Sequence, residues 1–257
     1  MDPKLEDQET RLRFPDANQC NLLQTKNCLL NVLGEDGGGS IVVCGDTSVG
    51  KSTVINFLLG FPLNFESMGV GTRRPCVLSQ VNDASCEVVQ FHLRFEGKDI
   101  VTHDIQEVSK FVAEANKSAG SGFETTPIFV EMRHKDFLLG MRFVDLPGLV
   151  HPSREGADSV KNLAMGYLKA ENTVVVVLGA DNWTNGGTHL LCERIKKAKK
   201  VIIVQNFAYS ELTRRAAMQR FTEVRETMGG DFEYVLFDVG PPGDDNQFKK
   251  IKKITLA

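Results

Sequence analysis

The chain carries 257 residues, 42% of them apolar and 25% charged, with a net charge of −3. That apolar share excludes disorder as the main state and is ample for a sizeable core. The most apolar run, Thr173 to Ala180, falls far short of the roughly 20 residues that a membrane-spanning helix needs. The near balance of basic and acidic residues argues against nucleic acid or an anionic membrane as the main partner.

In chain order, the start MDPKLEDQETRLR is polar and acidic, unlike a secretory signal or a transit peptide. A loosely ordered leader over residues 1–20 and a cytoplasmic address are the expectations. Asn21 to Leu33 reads as a helix, stopped by Gly34 and the Gly37-Gly38-Gly39 cluster. Ile41 to Cys44, Thr173 to Leu178, Val201 to Val204 and Tyr234 to Val239 are continuous, β-branched runs, as in strands of a parallel sheet buried on both faces. Between them, Ser159 to Leu168, Leu190 to Ala198 and Glu211 to Met228 carry helical stripes, the last with Ser210 as N-cap. The alternation predicts an α/β fold. In the middle, Cys76 to Val81, Glu87 to Phe95, Ile128 to Arg133 and Met141 to Val144 read as strands that add antiparallel partners. A helix from Asp104 to Ala115 interrupts them, opened by a capping-box pair, Asp104 and Glu107. The cysteines, Cys20, Cys28, Cys44, Cys76, Cys86 and Cys192, show neither a CxxC pair nor zinc spacing, and read as reduced structural thiols.

Three motifs carry chemistry. Gly45-Asp46-Thr47-Ser48-Val49-Gly50-Lys51-Ser52 matches G-x-x-x-x-G-K-[ST] in full, between a predicted strand and a predicted helix from Thr53 to Leu59. In that context the backbone N–H groups of residues 45–53 cradle phosphates, Lys51 neutralises the β- and γ-phosphates, and Ser52 ligates Mg²⁺. Asp145-Leu146-Pro147-Gly148 ends a predicted strand; Asp145 would face the Mg²⁺ shell and Gly148 would offer its N–H to a γ-phosphate. Gly69-Val70-Gly71-Thr72-Arg73-Arg74-Pro75 places a Gly-flanked threonine between them. Thr72 is the candidate for completing the Mg²⁺ shell and holding the attacking water. Arg73 and Arg74 read as residues that position the loop or face solvent rather than as arginine fingers.

The stretches IVVCGDTSVGKSTVINFLLG, GTRRPCVLSQV and PIFVEMRHKDFLLGMRFVDLPGLV, in that order and spacing, resemble the GTPase domain of the dynamin superfamily. The resemblance implies a P-loop NTPase three-layer sandwich with a mostly parallel central sheet extended by antiparallel strands, spanning residues 21–242, with a basic tail over 243–257. It implies binding of GTP and GDP, Mg²⁺-dependent hydrolysis, and dimerisation across the nucleotide face with a second copy or a dynamin-like partner. Thr72 would then hold the attacking water, Gly148 would contact that water or the γ-phosphate, and Ser48 would help bind a Na⁺ or K⁺ ion that offsets transition-state charge. Association with membranes is implied only at the periphery, since the family's stalk and lipid-binding module have no counterpart in these residues. The cluster Lys249-Lys250-Ile251-Lys252-Lys253 reads as a solvated tail or the start of a helix.

The resemblance breaks at two points. The family's P-loop has Gln where this chain has Thr47, whose shorter side chain points to weak turnover. The family also reads guanine with T/N-K-x-D, whereas here the strand leads into Gln205-Asn206-Phe207-Ala208-Tyr209. Gln205 and Asn206 remain the candidates for base contact, but no acid follows them in either register. A catalytically weak nucleotide-binding switch or scaffold and a P-loop ATPase therefore stay open beside the GTPase. His151, Asn182 and Trp183 read as loop or structural residues.

Overall fold

The continuous apolar runs over 41–44, 173–178 and 201–204 all form strands, buried along their length. The computed structural model describes residues 40–59, 72–137, 140–179, 186–206, 214–229, 232–238 and 250–254. The expected leader, the helix over 21–33, Asn182, Trp183, the Ser210 cap and Phe207 to Tyr209 lie outside them.

In chain order the described elements are β1 (Ile41–Cys44), α1 (Lys51–Leu59), β2 (Cys76–Asn82), β3 (Gln90–Phe95), β4 (Lys98–Thr102), α2 (Ile105–Lys117), β5 (Ile128–His134), β6 (Arg142–Asp145), α3 (Ala157–Tyr167), β7 (Thr173–Leu178), a 3₁₀ turn (Thr188–Leu191) leading into α4 (Cys192–Ile195), β8 (Lys200–Asn206), α5 (Arg214–Met228), β9 (Glu233–Asp238) and β10 (Lys250–Ile254). The strands form one sheet in the order β10-β9-β8-β7-β1-β6-β2-β5-β3-β4. β1 lies at its centre, parallel to β6 and β7, with Val42 opposite both Val144 and Val174.

The strand residues alternate between two cores. Ile41, Val43, Val175 and Val177 face α1 and α2, meeting Val54, Ile55, Leu58, Val108 and Val112. Val42, Cys44, Val174 and Val176 face α3, α4 and α5, meeting Val160, Ile195, Phe221 and Val224. Helices on both faces make the three layers expected. Each such aliphatic side chain contributes about 1.5–3 kcal/mol by leaving water. α2 opens on Asp104, whose carboxylate accepts from the Gln106 N–H at 2.8 Å, as a capping residue should.

Four readings change. The strand β4 was not expected; it forms a hairpin with β3 through the turn at Glu96-Gly97, where both residues have positive φ. Of the middle strands, expected to add antiparallel partners, β6 instead pairs parallel with β1 and β5 parallel with β2, while the β2–β6 and β3–β5 pairs are antiparallel as expected. The predicted helix over 190–198 is a 3₁₀ turn followed by a single helical turn. The basic cluster read as a tail or helix start contains β10, antiparallel to β9. Lysines interleaved with isoleucines suit an edge strand, where charge discourages pairing with another sheet.

Candidate functional site

The C-terminal ends of β1, β6, β7 and β8 meet at one edge of the sheet, where open α/β sheets bind ligands. The chain leaves β1 through residues 45–50 and enters α1 at Lys51. Two glycines are required there. A Cβ on Gly45 would strike the Val177 carbonyl, and one on Gly50, at φ +89°, would strike the Asn206 amide. Ser48 is a non-glycine residue at φ 63° and is exposed at the loop's tip. Val49 packs against Gly179 and the core, and Thr53 lies half-buried in the first turn of α1. The Lys51 ammonium is buried and donates to the Asp46 carbonyl at 2.8 Å. Burial lowers its pKa, and the charge of Asp145 opposes that shift.

Three oxygen-bearing side chains from distant segments converge beside it. The Ser52 hydroxyl donates to Asp145 Oδ2 at 2.9 Å, and the Thr72 hydroxyl donates to the same oxygen at 3.4 Å. Asp145 is 1% exposed, and its Oδ1 is buried with no hydrogen-bond partner among the described residues. Burial pushes its pKa up to about 6, against the opposing pull of Lys51, Ser52 and Thr72. A buried carboxylate oxygen without a partner is costly. One carboxylate and two hydroxyls form a hard oxygen donor set, which suits Mg²⁺ completed by phosphate oxygens and water. The residues present therefore fit the ion.

The Asp145-to-Gly148 turn is sewn to the P-loop. The Leu149 N–H donates to the Gly45 carbonyl at 3.0 Å, and the Thr47 N–H donates to the Leu149 carbonyl at 2.9 Å. The Thr47 hydroxyl lies 3.2 Å from that carbonyl and 3.3 Å from the carbonyl of Gly148. Thr47 thus faces the turn that carries Gly148. His151 is exposed and bonds to Ser153.

The two candidates for base contact are engaged within the protein. Gln205, 1% exposed, donates its amide to the carbonyls of Leu178 and Gly179 and accepts from the Tyr234 hydroxyl at 3.3 Å. The Asn206 amide donates to the Val49 carbonyl at 2.8 Å, joining the end of β8 to the P-loop. The Asp46 carboxylate accepts from the Thr188 N–H at 2.9 Å and the Thr188 hydroxyl at 2.7 Å, which docks the 3₁₀ turn on the same loop.

Arg74 is 4% exposed. Its guanidinium donates to the Ala115 carbonyl at 3.0 Å and the Ser118 hydroxyl at 3.1 Å, and lies 4.8 Å from the centre of the Phe95 ring. It positions the loop, as one of the two readings of this pair expects. Asn116, Thr188 and Tyr234 belong to no motif; their partners are far away in sequence, so no local spacing signals them.

The sequence profile of the dynamin family matches residues 41–208, which hold β1, all three motifs and β8. The chain is 27% identical over 195 residues to dynamin-1 of Bos taurus, covering 73% of this chain and 22% of that protein. It is 25% identical over 202 residues to phragmoplastin DRP1A of Arabidopsis thaliana, covering 74% of this chain and 32% of that protein. Against the mitochondrial dynamin-like GTPase MGM1 of Chaetomium thermophilum the identity is 28% over 177 residues, covering 64% of this chain and 19% of that protein. The matched region spans a third or less of these curated relatives.

Proposed function

This chain belongs to the dynamin family, and from that premise we propose that it binds GTP with Mg²⁺ and hydrolyses it to GDP and phosphate. Water forms a bond to the γ-phosphorus, the bond from that phosphorus to the β–γ bridging oxygen breaks, and GDP leaves. The observation that carries the reading is the convergence of Ser52 and Thr72 on the buried Asp145, beside the buried Lys51.

In this reading Ser52, Thr72 and Asp145 hold Mg²⁺, which when bound neutralises charge on the β- and γ-phosphate oxygens. Residues 45–53 wrap the phosphates with backbone N–H groups and the α1 N-terminus. Lys51 leaves the Asp46 carbonyl for the phosphates. Thr72 orients the attacking water and Gly148 offers its N–H to the γ-phosphate. Ser48, exposed at the mouth of the site, supports a place for Na⁺ or K⁺ near the β–γ bridge. Dimerisation across the nucleotide face stimulates turnover, and the cytoplasm is the proposed place of action. Replacing Lys51 with Ala reduces phosphate release from GTP to background; release equal to wild type contradicts the proposal.

A catalytically weak nucleotide-binding switch is the second reading. It is favoured by Thr47, whose hydroxyl lies against the turn carbonyls of Gly148 and Leu149. It predicts tight Mg²⁺–GTP binding with little single-turnover hydrolysis at any protein concentration. Rapid turnover eliminates it.

A further inference from the structure

We propose that Asn116, near the end of α2, is a positioning residue that sets Thr72 over the metal site; this rests on the Mg²⁺–GTP reading above. Cys76 pairs with Asp145 across the sheet. Four extended residues would carry Thr72 about 13 Å beyond Cys76. Instead the segment folds back, and the Thr72 hydroxyl lies 3.4 Å from Asp145 Oδ2.

The fold-back is held from α2. Asn116 Oδ1 accepts from the Arg73 N–H at 2.8 Å and from the Arg74 N–H at 3.2 Å. These are the two amides that follow Thr72. Asn116 is itself fixed: it is 8% exposed, and its amide donates to the Val112 carbonyl at 3.1 Å. The neighbouring Val112 and Ala115 are buried in the core shared by α2 and the sheet. One acceptor on a packed helix therefore clamps two consecutive amides. The Arg74 guanidinium, on the Ala115 carbonyl and the Ser118 hydroxyl, holds the same end of α2. The Arg73 carbonyl accepts from the Glu124 N–H at 3.1 Å, and the Pro75 carbonyl from the Ile128 N–H at 2.9 Å. Asn116 touches no reacting atom; it acts through the backbone that presents Thr72. Without it the half-buried Arg73 amide and the buried Arg74 amide lose their acceptor and the segment loses a restraint next to Thr72.

Two readouts test this. Hydrogen–deuterium exchange on the nucleotide-free protein reports the Arg73 and Arg74 amides. Binding of a fluorescent, non-hydrolysable GTP analogue, titrated with Mg²⁺, reports the metal site without turnover. In Asn116→Leu, the two amides exchange about tenfold faster and half-saturation by Mg²⁺ rises about tenfold, the scale of one lost hydrogen bond. Nucleotide affinity without Mg²⁺ stays within about twofold, because the phosphate loop is untouched. Asn116→Asp, which keeps the acceptor for both amides and loses only the bond to the Val112 carbonyl, recovers most of both losses. A purely structural role lowers the melting temperature and leaves the Mg²⁺ dependence alone. If the Leu variant does not fold, Asn116→Ser, which shortens the acceptor, is read in its place with the same expected direction. Unchanged amide exchange or an unchanged Mg²⁺ requirement overturns the positioning role. A wild-type protein whose nucleotide affinity ignores Mg²⁺ overturns the functional reading, and this inference with it.

Discussion

Replacing Gly148 with Ala sets a methyl group against backbone. A Cβ at this position stands 2.6 Å from Thr47 Cα and 2.9 Å from both Thr47 N and its hydroxyl oxygen. That is about 0.8 Å short of ordinary van der Waals contact. Neither side yields easily, because Thr47 N–H is bonded to the Leu149 carbonyl and Leu149 N–H to the Gly45 carbonyl. The turn and the P-loop must therefore separate by most of an ångström. Overpacking of this kind costs about 1–3 kcal/mol. Chemistry suffers more, since a misplacement near 1 Å costs about 100-fold in rate. Urea unfolding of the nucleotide-free protein reads the first effect, and single-turnover GTP hydrolysis reads the second. Nucleotide affinity, held by Lys51 and the loop amides, falls by less than about tenfold. A variant with stability within about 0.5 kcal/mol of wild type and equal hydrolysis refutes the tight packing of this turn on Thr47.

Two further predictions concern the same loop. Burial raises Asp145 from an ordinary 3.8 to about 6, so the folded protein favours the protonated acid. The stability that this brings is fully present below pH 3.8 and is lost as pH rises through 6. Relative to Asp145→Asn, which does not titrate, wild type should therefore lose about 2.5 kcal/mol between pH 4 and pH 7. Urea unfolding of both proteins across that range checks it, and a constant difference contradicts the burial of an unpartnered carboxylate oxygen. Thr188→Val keeps the shape of a buried side chain but deletes its hydroxyl bond to Asp46, and should cost about 1.5–3 kcal/mol in urea unfolding. A cost under about 0.5 kcal/mol contradicts the docking of the 3₁₀ turn on the P-loop.

The parts of the site legible in the sequence are those whose partners are adjacent in it. Strand β1, residues 45–50 and helix α1 form one uninterrupted stretch, so apolar run, glycines and Lys51 reveal one another. Asp145 ends the short run Phe143-Val144, which is buried in strand β6. β4 escaped because Lys98, Asp99 and Val101 are exposed, which leaves an edge strand without an apolar pattern. β10 escaped because its lysines resemble a solvated tail. The parallel pairing of β2 with β5 depends on a crossover through the β3–β4 hairpin and α2, which composition does not encode. Gln205 and Asn206 are legible as candidates for base contact, whereas the engagement of their amides by the carbonyls of Gly179 and Val49 is not. Asn116 and Thr188 had no signal at all: each meets a loop more than forty residues away.

The decisive measurement is phosphate release from GTP beside ATP, in single turnover, with and without Mg²⁺. Release from GTP that requires Mg²⁺ and exceeds release from ATP is the predicted result. Equal release from both nucleotides, or release from GTP that does not need Mg²⁺, would contradict a guanine-selective hydrolase built on Lys51, Ser52, Thr72 and Asp145.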